Sequence, residues 1–200
     1  YCVIAAQTGW IKNYYPVEFF AALLSTEMSD TDKIVKYTKE ARRRGIEIKP
    51  PHISYSDYKF SVKGDVIYYS LGAIKGVGEA AVQSIIETRE GLVDKKFESL
   101  QQFFETVDLR RVNKKVIECL IKAGALDGFG YHRAQIYQEY ERILDAAEVT
   151  RRDREVGQES LFAMMEESST TSMSKIELPL VIPWSDLAQL SFEKEVLGFY

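Results

Sequence analysis

The stretch that most restricts what this chain can fold into runs from Ser70 to Ile86 and reads SLGAIKGVGEAAVQSII. Gly76 and Gly78 stand two positions apart, behind Ile74-Lys75 and ahead of Ala80, Ala81, Val82, Ile85 and Ile86. The helical spacing of those later apolar residues predicts a helix that begins near Gly78. The two glycines permit a tight turn with positive φ and leave the backbone uncovered. The pattern predicts a short helix, a glycine hairpin and a second helix. The first N–H groups of that second helix have no intrahelical partners and lie at its positive dipole end, an arrangement that binds phosphate. The plainer reading of the same residues is a corner between two helices with glycine at the turn.

Charge limits how such a turn could serve a nucleic acid. The formal net charge of −4 excludes a nonspecific polycation, so any DNA binding must come from local patches and oriented backbone groups. The 46% hydrophobic content predicts a real core, and 200 residues suit one or two small domains. No apolar run reaches membrane-spanning length and no secretory signal is visible. The opening Tyr1-Cys2-Val3-Ile4 reads as the interior of a helix, which predicts a piece of a longer protein. Cys2 and Cys119 lie far apart, outside any CxxC and away from histidine. Neither a disulfide framework nor a zinc site is expected, and a reducing cytoplasm is.

Periodicity and punctuation predict a mainly α fold with a small β-hairpin. A first helix covers residues 1–15, with Val3, Ile4, Trp10 and Ile11 recurring along it. Pro16 opens a second helix whose Phe19, Phe20, Leu23 and Leu24 form a core face. A third starts from the cluster Ser29-Asp30-Thr31-Asp32 and stops at Gly45, with Arg42-Arg43-Arg44 suiting its C-terminal dipole. Pro50-Pro51 keep the following stretch extended, and Lys63-Gly64-Asp65 between two short apolar runs predicts a hairpin. Further helices are expected over 97–107, 112–123, from Ala134 to about Arg152, and from Ser185 onward.

Two later features carry possible function. Gly124-Ala125-Leu126-Asp127 separates two helices and suggests a second, degenerate copy of the glycine hairpin, making a tandem pair. Ahead of it, Arg110, Arg111, Lys114 and Lys115 crowd one turn. They read either as phosphate contacts or as a solvated helix start, although cations at a helix start oppose the dipole. Glu166 to Ser174 is too polar and small to order itself and predicts a mobile linker. Just before it, Gln158-Glu159-Ser160-Leu161-Phe162 offers an amide and two adjacent apolar anchors. That peptide reads either as the last anchor of the domain or as a short docking motif.

In combination these stretches resemble the alpha subunits of bacterial replicative DNA polymerase III, the C-family polymerases. Gln7-Thr8-Gly9-Trp10-Ile11-Lys12 with Tyr15-Pro16-Val17-Glu18-Phe19 is similar to a segment of that family's fingers. Leu71 to Glu79 resembles its helix-hairpin-helix, CLIKAGALD at Cys119–Asp127 matches its pattern after the basic turn, and Gln158, Leu161 and Phe162 resemble its QxxLF sliding-clamp motif. FEKEVLGFY at the end resembles the lead-in to its OB-fold domain.

The resemblance implies three regions: residues 1–65 as the C-terminal part of the fingers, 66–165 as a DNA-binding and clamp-binding helix-hairpin-helix region, and 166–200 as a flexible linker and the start of an OB-fold-like region. It implies duplex DNA held without sequence readout at Lys75, Gly76, Val77 and Gly78, joined by Arg110, Arg111, Lys114 and Lys115. It implies a sliding clamp bound at Gln158, Leu161 and Phe162, the rest of the polymerase holoenzyme as further partner, and no membrane. Nucleotidyl transfer in that family uses Mg2+ on palm aspartates. No carboxylate cluster of that kind is seen here: Asp30, Asp32 and Asp57 read as cap and turn residues. The metal site is expected outside this chain, and the chain alone is expected to be inactive. The alternative is a helix-hairpin-helix module of a DNA repair or recombination protein, which would need no clamp motif.

Overall fold

The computed structural model of the protein describes residues 1–155 and 178–198. Four of its helices begin where a side chain accepts from one of their first N–H groups. α1 (Cys2–Tyr14) gives way at Tyr15 to α2 (Pro16–Thr26), whose first residue is the proline that a helix start tolerates. Asp30 caps α3 (Thr31–Arg43) by accepting from the Lys33 N–H at 3.1 Å. Gly45, with φ +81°, ends it: its N–H bonds Arg42 O, and the Ile46 N–H bonds Ala41 O, the paired bonds of a Schellman stop.

Three short strands follow. β1 (Glu47–Lys49), β2 (Ser61–Lys63) and β3 (Val66–Tyr68) form one sheet in the order β1-β3-β2. β2 and β3 are the expected antiparallel hairpin, with Val62 opposite Ile67. β1 was expected only as an extended stretch, and it pairs parallel with β3 through Ile48 and Ile67. Ile48 and Ile67 are buried, while Glu47, Lys49, Val66 and Tyr68 alternate to the opposite face.

The remaining helices are α4 (Glu79–Glu90), α5 (Leu100–Thr106), α6 (Lys114–Lys122), α7 (Arg133–Glu155) and α8 (Asp186–Leu197). Ser99, Asn113 and Ser185 cap α5, α6 and α8 through side-chain oxygens. The described residues are mainly helical, as the sequence implied. The core runs continuously from Phe20 and Leu24 of α2 through Ile67 to Val82, Phe103, Ile117 and Ile136. Arg89 is 3% exposed and ties the loop before β2 to α4. Its guanidinium donates to Ser56 O at 2.7 Å, Ile53 O at 3.3 Å and Asp57 Oδ1 at 2.6 Å. Asp57 is therefore an ion-pair acceptor rather than the simple turn residue expected.

Residues 178–198 fold back on the body of the protein. Trp184 and Phe192 pack on Tyr137 of α7, Gln135 Nε2 donates to Pro179 O at 3.0 Å, and Val196 and Leu197 are buried. At the other end, α1 buries none of its residues. Its lysine makes the one notable polar tie: Lys12 Nζ bonds Glu40 of α3 at 2.8 Å.

Candidate nucleic-acid interface

The limb before the first glycine pair is built of tight turns instead of the short helix expected. Ser70 anchors it. Its buried hydroxyl donates to Tyr58 O and accepts from the Ala73 N–H at 3.0 Å. Ile74 and Val77 then close successive four-residue turns, Ile74 N–H to Leu71 O and Val77 N–H to Ile74 O. Backbone demands of Leu71-Gly72, whose N–H groups reach Asp57 O and Tyr58 O, outcompete an α-helical ladder there.

The two glycines are unequal. Gly76 has φ +85°, and a Cβ placed on it would stand 2.8 Å from Cys119 Sγ on α6. Gly76 thus serves both a left-handed turn and a close approach. Gly78 was expected to share the positive φ, yet it is extended at φ −80°, ψ 159°, as the cap residue of α4, with open space around its Cα. It caps without a side chain. Lys75, Gly76, Gly78, Glu79 and Ala80 are exposed, whereas Val77 is 6% exposed and belongs to the core. Val77 therefore holds the turn in place, and its side chain faces inward.

Among the described residues the N–H groups of Gly76, Gly78, Glu79 and Ala80 have no partner, while that of Lys75 is bound by Val196 O of α8 at 2.9 Å. The Lys75 ammonium has no partner among the described residues either. The result is an uncovered start of a twelve-residue helix beside a free cation. Such a surface favours an anion at the helix end.

The basic turn is different. Lys114 pairs with Asp145 at 3.0 Å, Lys115 with Glu118 at 3.2 Å, and Arg111 lies 3.6 Å from Glu87 and 3.7 Å from Asp108. The hydrogen bonds to Asp145 and Glu118 raise both lysines above their usual pKa. The Asn113 cap, donated to by Val116 N–H at 3.1 Å, resolves how cations tolerate this helix start. Arg110 alone of the four has an exposed side chain with no ion pair among the described residues.

The second glycine turn is closed. Gly124, φ +76°, is buried, and a Cβ there would stand 2.2 Å from the Arg133 guanidinium. That guanidinium bonds Asp127 at 2.6 Å and Glu193 of α8 at 2.6 Å. Lys122, next to the turn, is held between Glu118 at 2.9 Å and Glu195 at 3.0 Å. Burial draws its pKa down, but the two carboxylates outweigh this and keep it raised. The first turn faces solvent; the second is filled by the protein's own side chains.

Three residues that matter to this geometry are not apparent as functional in the sequence. Cys119 supports Gly76 from 43 positions away, beyond the reach of any local pattern. Arg89 does carry a signal: it continues the Val82, Ile85 spacing and so falls on the buried face of α4. His52 links the loop after β1 to Asp127 O at 2.8 Å, while its Nδ1 accepts from the Ser54 N–H at 3.0 Å. Gln158, Leu161 and Phe162 lie outside the described residues. Among the described residues no group of three or more histidine, cysteine or acidic side chains could hold a metal ion, and no helix is long and apolar enough to cross a membrane.

A family model described as helix-hairpin-helix motif matches residues 45–136, which include both glycine turns. The whole chain aligns with DNA polymerase III subunit alpha of Thermus aquaticus at 40% identity over 200 residues. It aligns with that of Deinococcus radiodurans at 41% over 207 residues and of Neisseria meningitidis at 39% over 201. The chain matches a part of the alpha subunit of DNA polymerase III. It spans 16% of the length of the Thermus protein, 15% of the Deinococcus protein and 17% of the Neisseria protein. Within the helix-hairpin-helix match, Gly76 marks the open turn and Gly124 the closed one.

Proposed function

We propose that this chain gives a replicative DNA polymerase a sequence-independent hold on duplex DNA and joins it to a sliding clamp. The observation that carries the reading is the open start of α4. Among the described residues the backbone N–H groups of Gly76, Gly78, Glu79 and Ala80 have no partner, and they stand beside the unpaired Lys75 ammonium. Backbone N–H groups and a lysine suit phosphate oxygens and read no base, as an enzyme that copies any template requires. Arg110, without an ion pair among the described residues, supplies a further cation. Arg111, Lys114 and Lys115 would first have to exchange their carboxylate partners for phosphate, so they rank behind it.

The chain supplies no chemical step in this reading. Nucleotidyl transfer would belong to palm carboxylates and Mg2+ elsewhere in the polymerase. Gln158, Leu161 and Phe162 would place the amide and apolar anchors of a clamp-docking peptide after α7. Tethering of that kind converts rebinding into an intramolecular event and raises effective concentration.

Duplex affinity measured by anisotropy should fall steeply with salt, and Lys75→Ala should flatten the log–log slope by about 0.9. Duplex binding indifferent to salt would overturn the phosphate hold. Leu161→Ala with Phe162→Ala should abolish capture by a bacterial sliding clamp and leave duplex affinity unchanged. Loss of both together would contradict separate sites.

A further inference from the structure

The loop after β1, the turn after α6 and the outer face of the sheet together carry a row of aromatic rings that the duplex hold does not use. Phe129 lies 5.9 Å from His52 between ring centroids, His52 4.8 Å from Tyr55, and Tyr55 6.0 Å from Tyr68. Successive rings are tilted by 45°, 38° and 47°, so no neighbouring pair in the row lies flat face to face. Tyr68 occupies the central strand, opposite Lys49 on one side and Ser61 on the other.

Two ammonium groups flank the row. Lys49 Nζ and Lys63 Nζ each stand 5.6 Å from the centre of the Tyr68 ring. Lys63 also donates to Tyr55 O at 2.7 Å. Among the described residues neither lysine has a carboxylate partner. His52 is held by bonds at both ring nitrogens, so the middle of the row cannot swing away. Tyr55 is 42% exposed, and neither tyrosine hydroxyl has a partner among the described residues.

A planar, anionic and unpaired polymer matches these properties. The exposed Tyr55 ring, continued by the half-buried Tyr68, His52 and Phe129, suits bases of any identity, and unneutralised lysines beside them accept the backbone. A duplex hides its base faces inside the stack and cannot use the rings. We propose that the row Phe129, His52, Tyr55 and Tyr68, with Lys49 and Lys63, is a track for single-stranded DNA, separate from the duplex hold at Lys75. It rests on the reading that this chain works on DNA. Glu47, on the same sheet face opposite Val66, bounds the track at one end.

The test uses the intact polypeptide that carries this chain. An oligothymidylate bearing 5-iododeoxyuridine is irradiated with it, and cross-linked peptides are mapped by mass spectrometry. Cross-links are expected at Tyr55 or Tyr68; cross-links confined to other peptides would overturn the proposal. In anisotropy titrations, Tyr55→Ala and Tyr68→Ala should each weaken oligothymidylate binding at least about fivefold and leave duplex affinity unchanged. Tyr55→Phe and Tyr68→Phe keep the ring and should keep the affinity, which separates stacking from a folding defect. Equal losses on both DNA forms, or phenylalanine as damaging as alanine, would refute the track. Lys75→Ala without effect on duplex, with the tyrosine results as expected, would remove the duplex hold and leave the track standing.

Discussion

Replacing Gly76 by alanine puts two separable strains into one turn. The new residue would have to hold φ at +85°, which costs an L-residue about 1–2 kcal/mol. Its Cβ would also meet Cys119 Sγ at 2.8 Å. Cys119 is 3% exposed and sits inside α6, so its sulfur has nowhere to retreat. Overpacking of that kind costs about 1–3 kcal/mol. Gly76→Ala should therefore lose about 2–5 kcal/mol, a large part of the ~5–15 kcal/mol that holds a typical domain together. Removing the sulfur relieves only the second strain. In the double variant Gly76→Ala/Cys119→Ala, the two changes should couple favourably by about 1–2 kcal/mol. Gly78→Ala is the control: with φ −80° and no atom within 4 Å of its added Cβ, its effect should stay within about 1 kcal/mol. Urea unfolding of these three variants and of Cys119→Ala alone measures all of these terms. Strict additivity in the double variant, or equal costs at Gly76 and Gly78, would refute the account of the turn.

Two further outcomes follow from buried polar groups. Arg89→Met should destabilise by about 3 kcal/mol, because it strands the Ser56 and Ile53 carbonyls and the Asp57 carboxylate together; Asp57→Asn, whose amide oxygen still accepts, should cost about 1 kcal/mol by urea unfolding. His52 has its pKa lowered from 6.5, chiefly by burial, against the opposing pull of Asp127. The unfolded chain then binds this proton more tightly than the folded one, so stability is complete above 6.5 and declines as pH falls below it. Thermal midpoints from pH 7.5 down to 5 should fall in the parent protein and fall less in His52→Gln.

Much of the fold was legible because helix ends are decided locally. Asp30, Ser99, Asn113 and Ser185 are residue types that cap, and each does so. Gly45 and Gly124 stop helices with the positive φ that glycine tolerates. The glycine hairpin itself was visible, but its geometry was not. A pattern of two glycines says nothing about which one needs a left-handed backbone; that is settled by Cys119, a distant residue pressing on Gly76 alone. The parallel pairing of β1 with β3 was hidden for the same reason, since three residues of alternating sequence do not name their partner. The basic turn shows the same limit. Four cations in a line look like an anion site until Asp145, Glu118, Glu87 and Asp108 are brought against three of them.

The return of α8 has a kinetic side. Lys122 meets Glu195 across 73 residues, and the Lys75 N–H finds its acceptor, Val196, farther along still. At a synthesis rate of about 5–20 residues per second, Lys122 waits roughly 4–15 s for that carboxylate. During that interval a nascent chain would hold its glycine turn without the carbonyl that tethers it and its Arg133 without Glu193. The turn bearing Lys75 thus takes its final shape only after Val196, far downstream, has been made.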